Sequence, residues 1–300
     1  MSYLLSGIHI PLITPFTEAG ELAADALEAL AHSVLDEGAA GLVALGTTGE
    51  PATLDEAEKR AVTEICARVC RERGAALTVG AGGNDTRASV RALRELAGLP
   101  EATAALALVP SFTRPSPAGV LAHFTELAAH SPVPLIVYHI PYRTGQELDP
   151  DTLRRIAELP GVAGIKYAPG VLDQDAIAFL GDLPDDFAVL VGEDALLSPL
   201  LGLGAAGAVL ASAHLCTGRF VELYEAWQAG DLAHARALGH RLAALSAAAF
   251  AEPNPTVIKG VLHALGRIPS AAVRLPLLPA GPAAVDRGVH QVKSIGGSER

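Results

Sequence analysis

The sequence predicts a (β/α)8 barrel, an α/β fold in which eight parallel strands alternate with eight helices. The length of 300 residues suits such a barrel as one domain, and a composition that is 50% hydrophobic and 18% charged supplies a large core. Short apolar runs also alternate with Ala- and Leu-rich segments of helical length. A doubly wound sheet is the alternative, but Thr14-Pro15-Phe16 follows the first run, where a glycine-rich nucleotide-binding turn would stand.

Eight short apolar runs are the predicted strands, because parallel strands buried on both faces have continuous rather than alternating hydrophobic residues. In chain order the runs are 8–13, 41–45, 76–80, 104–109, 134–138, 162–166, 187–191 and 207–211. Each run precedes a segment with helical character. These segments are 21–37, 54–73, 86–97, 117–130, 150–158, 172–180, 194–203 and 217–228.

The chain continues beyond the barrel, which we assign to residues 1–230. Residues 231–278 are predicted as a C-terminal helical extension with helices at 231–249 and 255–266, because Pro253 and Pro255 end one helix and open the next. Residues 279–300 mix Gly, Pro and small polar residues without periodicity, so we expect a loose tail there.

The charge balance argues for small-molecule partners. There are 22 basic and 33 acidic residues, which gives a net charge of −11, and no basic run stands out. These features argue against binding to nucleic acid or to an anionic membrane surface.

The three cysteines are an odd and sparse set, which is typical of a reducing compartment, and we expect a cytoplasmic protein. Cys66 and Cys70 are predicted to share one face of a helix as small buried residues.

Targeting and membrane segments are not expected. The N-terminal stretch 1–12 lacks a basic region and reaches Pro11 early, which is unlike a signal peptide. The stretch 195–218 has no charged residue and is long enough to span a bilayer. Pro199 and the glycines that follow divide it into a short helix, a turn and an apolar strand, as in a buried helix-strand step.

In a barrel the functional residues follow the carboxyl ends of the strands. After the second strand comes Gly46-Thr47-Thr48-Gly49-Glu50, in which two hydroxyls and free backbone N–H groups suit a carboxylate or phosphate. Alone, this motif could equally be a tight turn with threonine caps.

Lys166 ends the sixth strand, and Tyr138 and Arg143 stand at or after the end of the fifth. Burial favours the neutral amine of a lysine and makes it a nucleophile able to form a Schiff base, although a lysine reaching to solvent is the alternative. A tyrosine can carry protons, and an arginine can bind a carboxylate through two hydrogen bonds. Together with the hydroxyl-bearing turn, these residues point to a 2-keto acid held covalently.

His139 and His214 are interpreted as local histidines rather than metal ligands. No second ligand stands at a useful spacing from either residue, so we expect no metal site.

These motifs resemble those of the dihydrodipicolinate synthase/N-acetylneuraminate lyase family of pyruvate-dependent class I aldolases, closest to the synthase branch. The resemblance covers most of the chain. The motifs are Gly46-Thr47-Thr48-Gly49-Glu50, Tyr138-x-x-Pro141-x-Arg143-Thr144-Gly145, Gly164-Ile165-Lys166, Gly192-Glu193-Asp194-Ala195-Leu196, and Glu252-Pro253-Asn254-Pro255 with Lys259. The resemblance implies a TIM barrel with a C-terminal helical extension, no metal or cofactor, and a homotetramer built from tight dimers, or a homodimer.

The resemblance also implies a role for each site residue. Lys166 would form an imine with pyruvate, whose carboxylate would be bound by Thr47 and Thr48. Tyr138 would carry protons in a relay that includes a threonine, Thr47. Arg143 would bind the carboxylate of aspartate β-semialdehyde, as in the synthase branch. Val209 would line the site through its backbone.

Some residues depart from the pattern of the synthase branch. Phe112 stands where a tyrosine would reach across the dimer interface to complete the relay. Either a water, Tyr142 or Tyr167 replaces it, or the enzyme runs a different aldol reaction with less need of that relay. Two further positions, now Ser111 and Pro51, belong to a lysine-feedback pocket where the family has one, so we expect feedback by lysine to be weak or absent.

Two more departures lie nearer the expected site. His139 replaces a usual asparagine and Pro169 a usual serine or glycine, which predicts an altered floor of the site.

Three functions therefore remain open. The first is condensation of pyruvate with aspartate β-semialdehyde, favoured by Arg143 and opposed by Phe112. The second is formation of pyruvate from a 2-keto-3-deoxy sugar acid or a related hydroxy-keto acid. The third is a barrel that binds a keto acid without turnover, against which the joint presence of Lys166 and Tyr138 argues.

Overall fold

The protein is described by a computed structural model covering residues 5–296. Eight parallel strands form a closed barrel in chain order, so the predicted (β/α)8 barrel is confirmed. The strands are β1 (Gly7–Pro11), β2 (Gly41–Ala44), β3 (Ala76–Gly80), β4 (Ala102–Leu108), β5 (Leu135–His139), β6 (Val162–Tyr167), β7 (Ala188–Val191) and β8 (Gly207–Val209). Each overlaps a predicted run.

Helices follow the strands and continue beyond the barrel. They are α1 (Ala24–Asp36), α2 (Glu56–Arg73), α3 (Thr86–Glu95), α4 (Pro117–His130), α5 (Pro141–Thr144), α6 (Pro150–Ala157), α7 (Gln174–Leu180), α8 (Leu197–Gly202), α9 (Thr217–Gln228), α10 (Leu232–Ala249), α11 (Thr256–Ala264) and α12 (Pro282–Ile295). The one-turn helix α5 was not predicted, because Pro141 opens it only two residues after the strand.

Local sequence explains why these segments are helical. Asp55 caps α2 by accepting a hydrogen bond from the backbone N–H of Glu58, while the Glu58 side chain accepts one from the N–H of Asp55. Gly74 ends the helix in the left-handed conformation, with φ of 63°, which glycine adopts at little cost.

The described residues form two compact units. One unit contains residues 5–7 and 76–209, which include β3 to β8 and α3 to α8. The other contains residues 8–75 and 210–296, which include β2, most of β1, α1, α2 and α9 to α12. The two units do not divide at residue 230. The boundary between the barrel and the C-terminal extension at that residue therefore stays a prediction.

Close strand packing in the first unit depends on Gly164 in β6. A Cβ atom at this position would lie 2.4 Å from the carbonyl oxygen of Ala188 in β7, well inside van der Waals contact. Glycine is therefore required here, two residues before Lys166, to hold the end of β6 in the sheet.

The predicted loose tail is wrong for most of its length. Residues 282–295 form the helix α12, which packs against α11 where Gly288 meets Val261 and Gly260 meets Val285. The buried residues of α12 recur at helical spacing and are Ala284, Gly288, Val292 and Ile295. Ala284 and Gly288 are small, so this spacing has no hydrophobic signal in the sequence. Residues 297–300 of the predicted tail lie outside the described residues.

The uncharged stretch 195–218 is divided as predicted. It contains α8, a turn, β8 and the first residues of α9. No helix within residues 5–296 is both long and apolar enough to cross a membrane. Cys66 and Cys70 lie buried on α2, as expected, Cys216 is also buried, and none of the three is in a disulfide.

Candidate active site

Lys166 and Tyr138 form a close pair at the ends of β6 and β5. The strand register places them opposite each other, and the Nζ atom of Lys166 lies 4.2 Å from the centre of the Tyr138 ring. Both are buried, with 5% and 6% of their surfaces exposed. The face of an aromatic ring attracts a nearby cation, so the Tyr138 ring holds the Lys166 side chain in place. A buried amine with a phenol beside it is suited to imine chemistry.

Gly192 supplies the space in which the Lys166 side chain lies. A Cβ atom at Gly192 would come within 2.8 Å of the Cγ atom and 3.1 Å of the Cε atom of Lys166. The backbone N–H of Gly192 is fixed by a 2.8 Å hydrogen bond to the carbonyl of Tyr167. Gly192 therefore belongs to the site, which the sequence indicated only by placing it in a family motif.

The opposite face of the same two strands is a separate environment. His139 and Tyr167 are the next register pair, and their rings stack with centroids 5.8 Å apart and planes 15° apart. Because side chains alternate along a strand, this pair points away from Lys166 and Tyr138. The strand register therefore places Tyr167 on the opposite face of the two strands from Lys166 and Tyr138.

His139 and Pro169 do not form the floor of the lysine site, which corrects that expectation. They line a cavity of about 310 Å³ together with Tyr167, Asp173 and Glu147. Burial lowers the pKa of His139 to about 4, so the imidazole is neutral near pH 7. Its Nδ1 atom is buried without a hydrogen-bond partner among the described residues.

Arg143 is exposed on α5, and its position is fixed by the residue that follows it. The hydroxyl of Thr144 donates to the carbonyl of Ile140 over 3.1 Å, and Gly145 ends the turn with φ of 68°. The sequence Arg-Thr-Gly thus forms an anchored turn whose guanidinium is accessible to an anion.

Phe112 is exposed in the single chain, with 91% of its surface accessible, and it adopts the left-handed conformation with φ of 65°. Its backbone N–H donates to the carbonyl of Thr144 over 3.1 Å, which ties this loop to α5. Tyr142 on α5 is likewise exposed. Val209 is buried as the last residue of β8.

Thr47 and Thr48 lie in the second unit, on a short helical turn that follows β2. The turn is closed by hydrogen bonds from the N–H of Gly49 to Gly46 and from the N–H of Glu50 to Thr47. The first N–H groups of such a turn have no partner within it, so those of Thr47 and Thr48 are candidate donors to an anion.

Leu45 and Glu50, on either side of the turn, have left-handed φ angles of 55° and 54°. This conformation is strained for residues other than glycine and must be held by surrounding contacts.

Part of that support is a buried ion pair between Glu50 and Lys259 of α11. Glu50 also accepts a hydrogen bond from the backbone N–H of Arg274 over 3.0 Å. Lys259 donates to the carbonyl of Ala272 over 3.0 Å, and its Nζ atom lies 4.1 Å from the centre of the Phe16 ring. Burial lowers the pKa of Lys259, and the Glu50 carboxylate opposes this shift. Lys259 and Glu50 belong to two distant sequence motifs, and nothing in either motif predicts that they form an ion pair.

A second contact joins the turn to the residues that precede α11. The side-chain N–H of Asn254 donates to the hydroxyl oxygen of Thr48 over 3.0 Å, and both side chains are buried. The two residues are 206 positions apart in the chain, so local sequence patterns carry no signal for the contact.

His214 is satisfied locally, as expected. Its Nε2 atom accepts a hydrogen bond from the backbone N–H of Ile13, and its Nδ1 atom bonds to the carbonyl of Ala211. Burial lowers its pKa to about 4. Residues 5–296 contain no group of three or more His, Cys, Asp or Glu side chains arranged to hold a metal ion.

Comparison with known proteins gives consistent results along nearly the whole chain. Residues 4–294 match the model of the dihydrodipicolinate synthetase family. The 4-hydroxy-tetrahydrodipicolinate synthase of Moorella thermoacetica is 39% identical over 269 residues, which cover 90% of this chain and 91% of that protein.

Solved structures agree with this match. Dihydrodipicolinate synthase from Thermotoga maritima has a TM-score of 0.93 and 30% identity, and the match covers 98% of this chain and 99% of that chain. The chloride-inhibited enzyme from Acinetobacter baumannii, solved in complex with pyruvate, has a TM-score of 0.92 and 31% identity and covers 98% of this chain and 100% of that chain.

Proposed function

Because the chain belongs to the dihydrodipicolinate synthetase family, we propose that it is a Schiff-base lyase that condenses pyruvate with aspartate β-semialdehyde. The observation that carries the proposal is the buried Lys166 amine 4.2 Å from the Tyr138 ring at the ends of two paired strands. The name of the Moorella relative and the pyruvate bound by the Acinetobacter relative support the choice of reaction and substrate.

In the proposed mechanism the Lys166 amine attacks the carbonyl carbon of pyruvate, and water leaves as the imine forms. Loss of a methyl proton gives an enamine, whose carbon attacks the aldehyde and forms the new carbon-carbon bond. Tyr138 supplies a proton in imine formation and at the aldehyde oxygen. Attack on the imine carbon by the amino group of the second substrate then displaces Lys166 as the free amine.

Binding of the two carboxylates is part of the proposal. Thr47 and Thr48 would bind the carboxylate of pyruvate through their hydroxyls and backbone N–H groups, and Thr47 would pass protons to Tyr138. Arg143 would bind the carboxylate of the aldehyde, and the backbone of Val209 would line the site. Lysine activates the keto acid by forming the imine, so the proposed chemistry uses no cofactor.

A second candidate is formation of pyruvate from a 2-keto-3-deoxy sugar acid. It is favoured by Phe112, because a phenyl ring cannot carry the proton that a tyrosine would carry at this position. A binding-only barrel is the third candidate and is opposed by the close pairing of Lys166 with Tyr138.

Two assays on the purified protein distinguish these candidates. One supplies pyruvate with aspartate β-semialdehyde and follows the cyclic product, and the other supplies a 2-keto-3-deoxy sugar acid and follows the release of pyruvate. We expect turnover in the first assay, with a kcat/KM at least tenfold above that in the second. Turnover only in the second would establish the sugar-acid lyase, and no turnover in either would favour the binding-only barrel.

We further propose a cytoplasmic homotetramer, or a homodimer, as the family resemblance implies. The exposed Phe112 and Tyr142 support an interface between copies of the chain, because they lie on segments joined by the hydrogen bond from Phe112 to Thr144 and aromatic residues are enriched at interfaces. Sedimentation of the purified protein tests this assembly, and a monomer would contradict it.

A further inference from the structure

The residues around the start of α11 hold the Thr47–Gly49 turn at two points. Lys259, on the first turns of α11, pairs with Glu50, and Asn254, just before the helix, donates to Thr48. The two contacts are made by the residues on either side of Gly49. The ion pair has a clear role in balancing buried charges. The amide contact is different, because it touches a hydroxyl proposed to bind substrate.

The direction of the hydrogen bond decides what Thr48 can do. A hydroxyl has one proton to donate and oxygen lone pairs that accept. When Asn254 donates its amide hydrogen to the Thr48 oxygen, the hydroxyl proton is left to point elsewhere. If residue 254 accepted instead, the Thr48 hydroxyl would donate its proton to residue 254 and could not donate it to a ligand.

Asn254 is itself firmly placed. Thr256, the first residue of α11, donates both its backbone N–H and its hydroxyl to the carbonyl of Pro253, and Glu252 accepts a hydrogen bond from the N–H of Gly281. The first two bonds hold the backbone around Asn254, and the third ties the Glu252 side chain to the residue that precedes α12. The amide of Asn254 donates to Thr48 from between these anchored residues, and its Oδ1 atom is buried without a hydrogen-bond partner among the described residues.

We propose that Asn254 is a positioning residue that makes the Thr48 hydroxyl a hydrogen-bond donor to the carboxylate of the keto acid. The inference rests on the proposed function, in which Thr48 binds that carboxylate. Asn254 does not touch the substrate in this account. It selects the rotamer of Thr48 and the direction of the hydroxyl proton.

The substitution Asn254→Asp tests this directly, because it keeps the shape of the side chain and reverses its hydrogen-bonding capacity. An ionised aspartate can only accept, so Thr48 would donate to it and be lost to the substrate. Removing a hydrogen bond to a charged group should raise the KM for pyruvate about tenfold or more, with a much smaller change in kcat. The KM for the aldehyde should change little.

The pH dependence separates positioning from a general structural effect. A protonated aspartic acid can donate to Thr48 as the amide does, so the ratio of the variant KM to the wild-type KM should fall as the pH is lowered from 8.5 to 6. Damage to the fold would not recover on protonation. Asn84→Asp is the matched control, because Asn84 uses its side-chain oxygen to accept from the N–H and hydroxyl of Ser111, and aspartate preserves both bonds.

Asn254→Ala provides a variant without a buried charge. It removes the donor but leaves no competing acceptor, so its KM for pyruvate should lie between those of the wild type and Asn254→Asp. In a Thr48→Val background, in which the hydroxyl is absent, Asn254→Asp should raise the KM no further. A full additional increase in that background would overturn the inference.

A second readout does not depend on turnover. It is the pyruvate concentration at which borohydride traps half of the maximal amount of imine. A wild type that traps no pyruvate would overturn both the proposed function and the inference. A wild type that traps pyruvate, with an unchanged half-saturating concentration in Asn254→Asp, would overturn the inference alone. It would mean that Thr48 already donates its proton to residue 254.

Discussion

Gly192 and Lys166 share one small volume at the ends of adjacent strands, such that a methyl group on Gly192 would lie 2.8 Å from the Lys166 Cγ atom. The lysine chain can reach its position over the Tyr138 ring only because residue 192 has no side chain. The reactive amine is therefore positioned by a residue that has no functional group of its own.

Gly192→Ala should displace Lys166 and slow its reaction with pyruvate. Misplacement of a reacting group by about 1 Å can cost about 10²-fold in rate, and we expect a loss of that order in the rate of borohydride trapping. Gly98→Ala is the matched control, because nothing lies within 4 Å of a Cβ atom there. Equal trapping rates in the two variants would contradict the assigned role of Gly192.

Tyr138→Phe should abolish proton transfer without disturbing the pair of side chains. The ring that lies under the Lys166 amine is retained and only the phenol oxygen is lost. General acid-base catalysis contributes about 10²-fold or more, so kcat should fall by at least that factor. Thermal unfolding should be little changed, and activity within threefold of the wild type would show that Tyr138 is not the proton carrier.

Lys259→Met should destabilise the protein because it leaves the carboxylate of Glu50 buried and unpaired. Breaking a buried ion pair costs about 3–5 kcal/mol, measurable as a lower free energy of unfolding in urea. Adding Glu50→Gln removes the stranded charge and should restore part of that loss. A double variant with the summed losses of the two single variants would contradict direct coupling between the residues.

His139 should make the protein less stable as the pH falls. Its pKa is about 4 in the folded protein and returns to about 6.5 on unfolding, so the unfolded state binds the extra proton first. The stability that the neutral imidazole contributes is complete above about pH 6.5 and is lost towards pH 4, at up to about 1.4 kcal/mol per pH unit.

His139→Asn removes this titration and should flatten the dependence of the unfolding free energy on pH between about 6 and 4.5 by that amount. His214 titrates in the same direction and should account for part of the remaining slope. An identical slope in wild type and His139→Asn would contradict the lowered pKa.

The barrel and the lysine could be predicted because their signals are local. Each strand is a continuous apolar run, and Lys166 stands at the end of one, so position along the chain gives position in the fold. The family resemblance read from the motifs is confirmed by the match over residues 4–294.

Other features depend on contacts that no local pattern encodes. The face on which His139 and Tyr167 lie is set by strand register, which the sequence pattern does not reveal, so the prediction that His139 lies at the floor of the lysine site is wrong. The helix α12 is anchored by the close approach of Gly288 to Val261, and a pattern built on glycine has no hydrophobic signal. The contact between Asn254 and Thr48 spans 206 residues and follows only from the folded chain.

The central claim is that Lys166 forms an imine with a keto acid, and covalent trapping tests it most directly. The protein is mixed with pyruvate and borohydride, its intact mass is measured, and the modified peptide is mapped. We predict one reduced pyruvyl adduct, located on Lys166 and absent from Lys166→Ala, while Lys293→Ala, at an exposed position on α12, retains it. A folded wild-type protein that gains no adduct, or an adduct that persists in Lys166→Ala, would contradict the account.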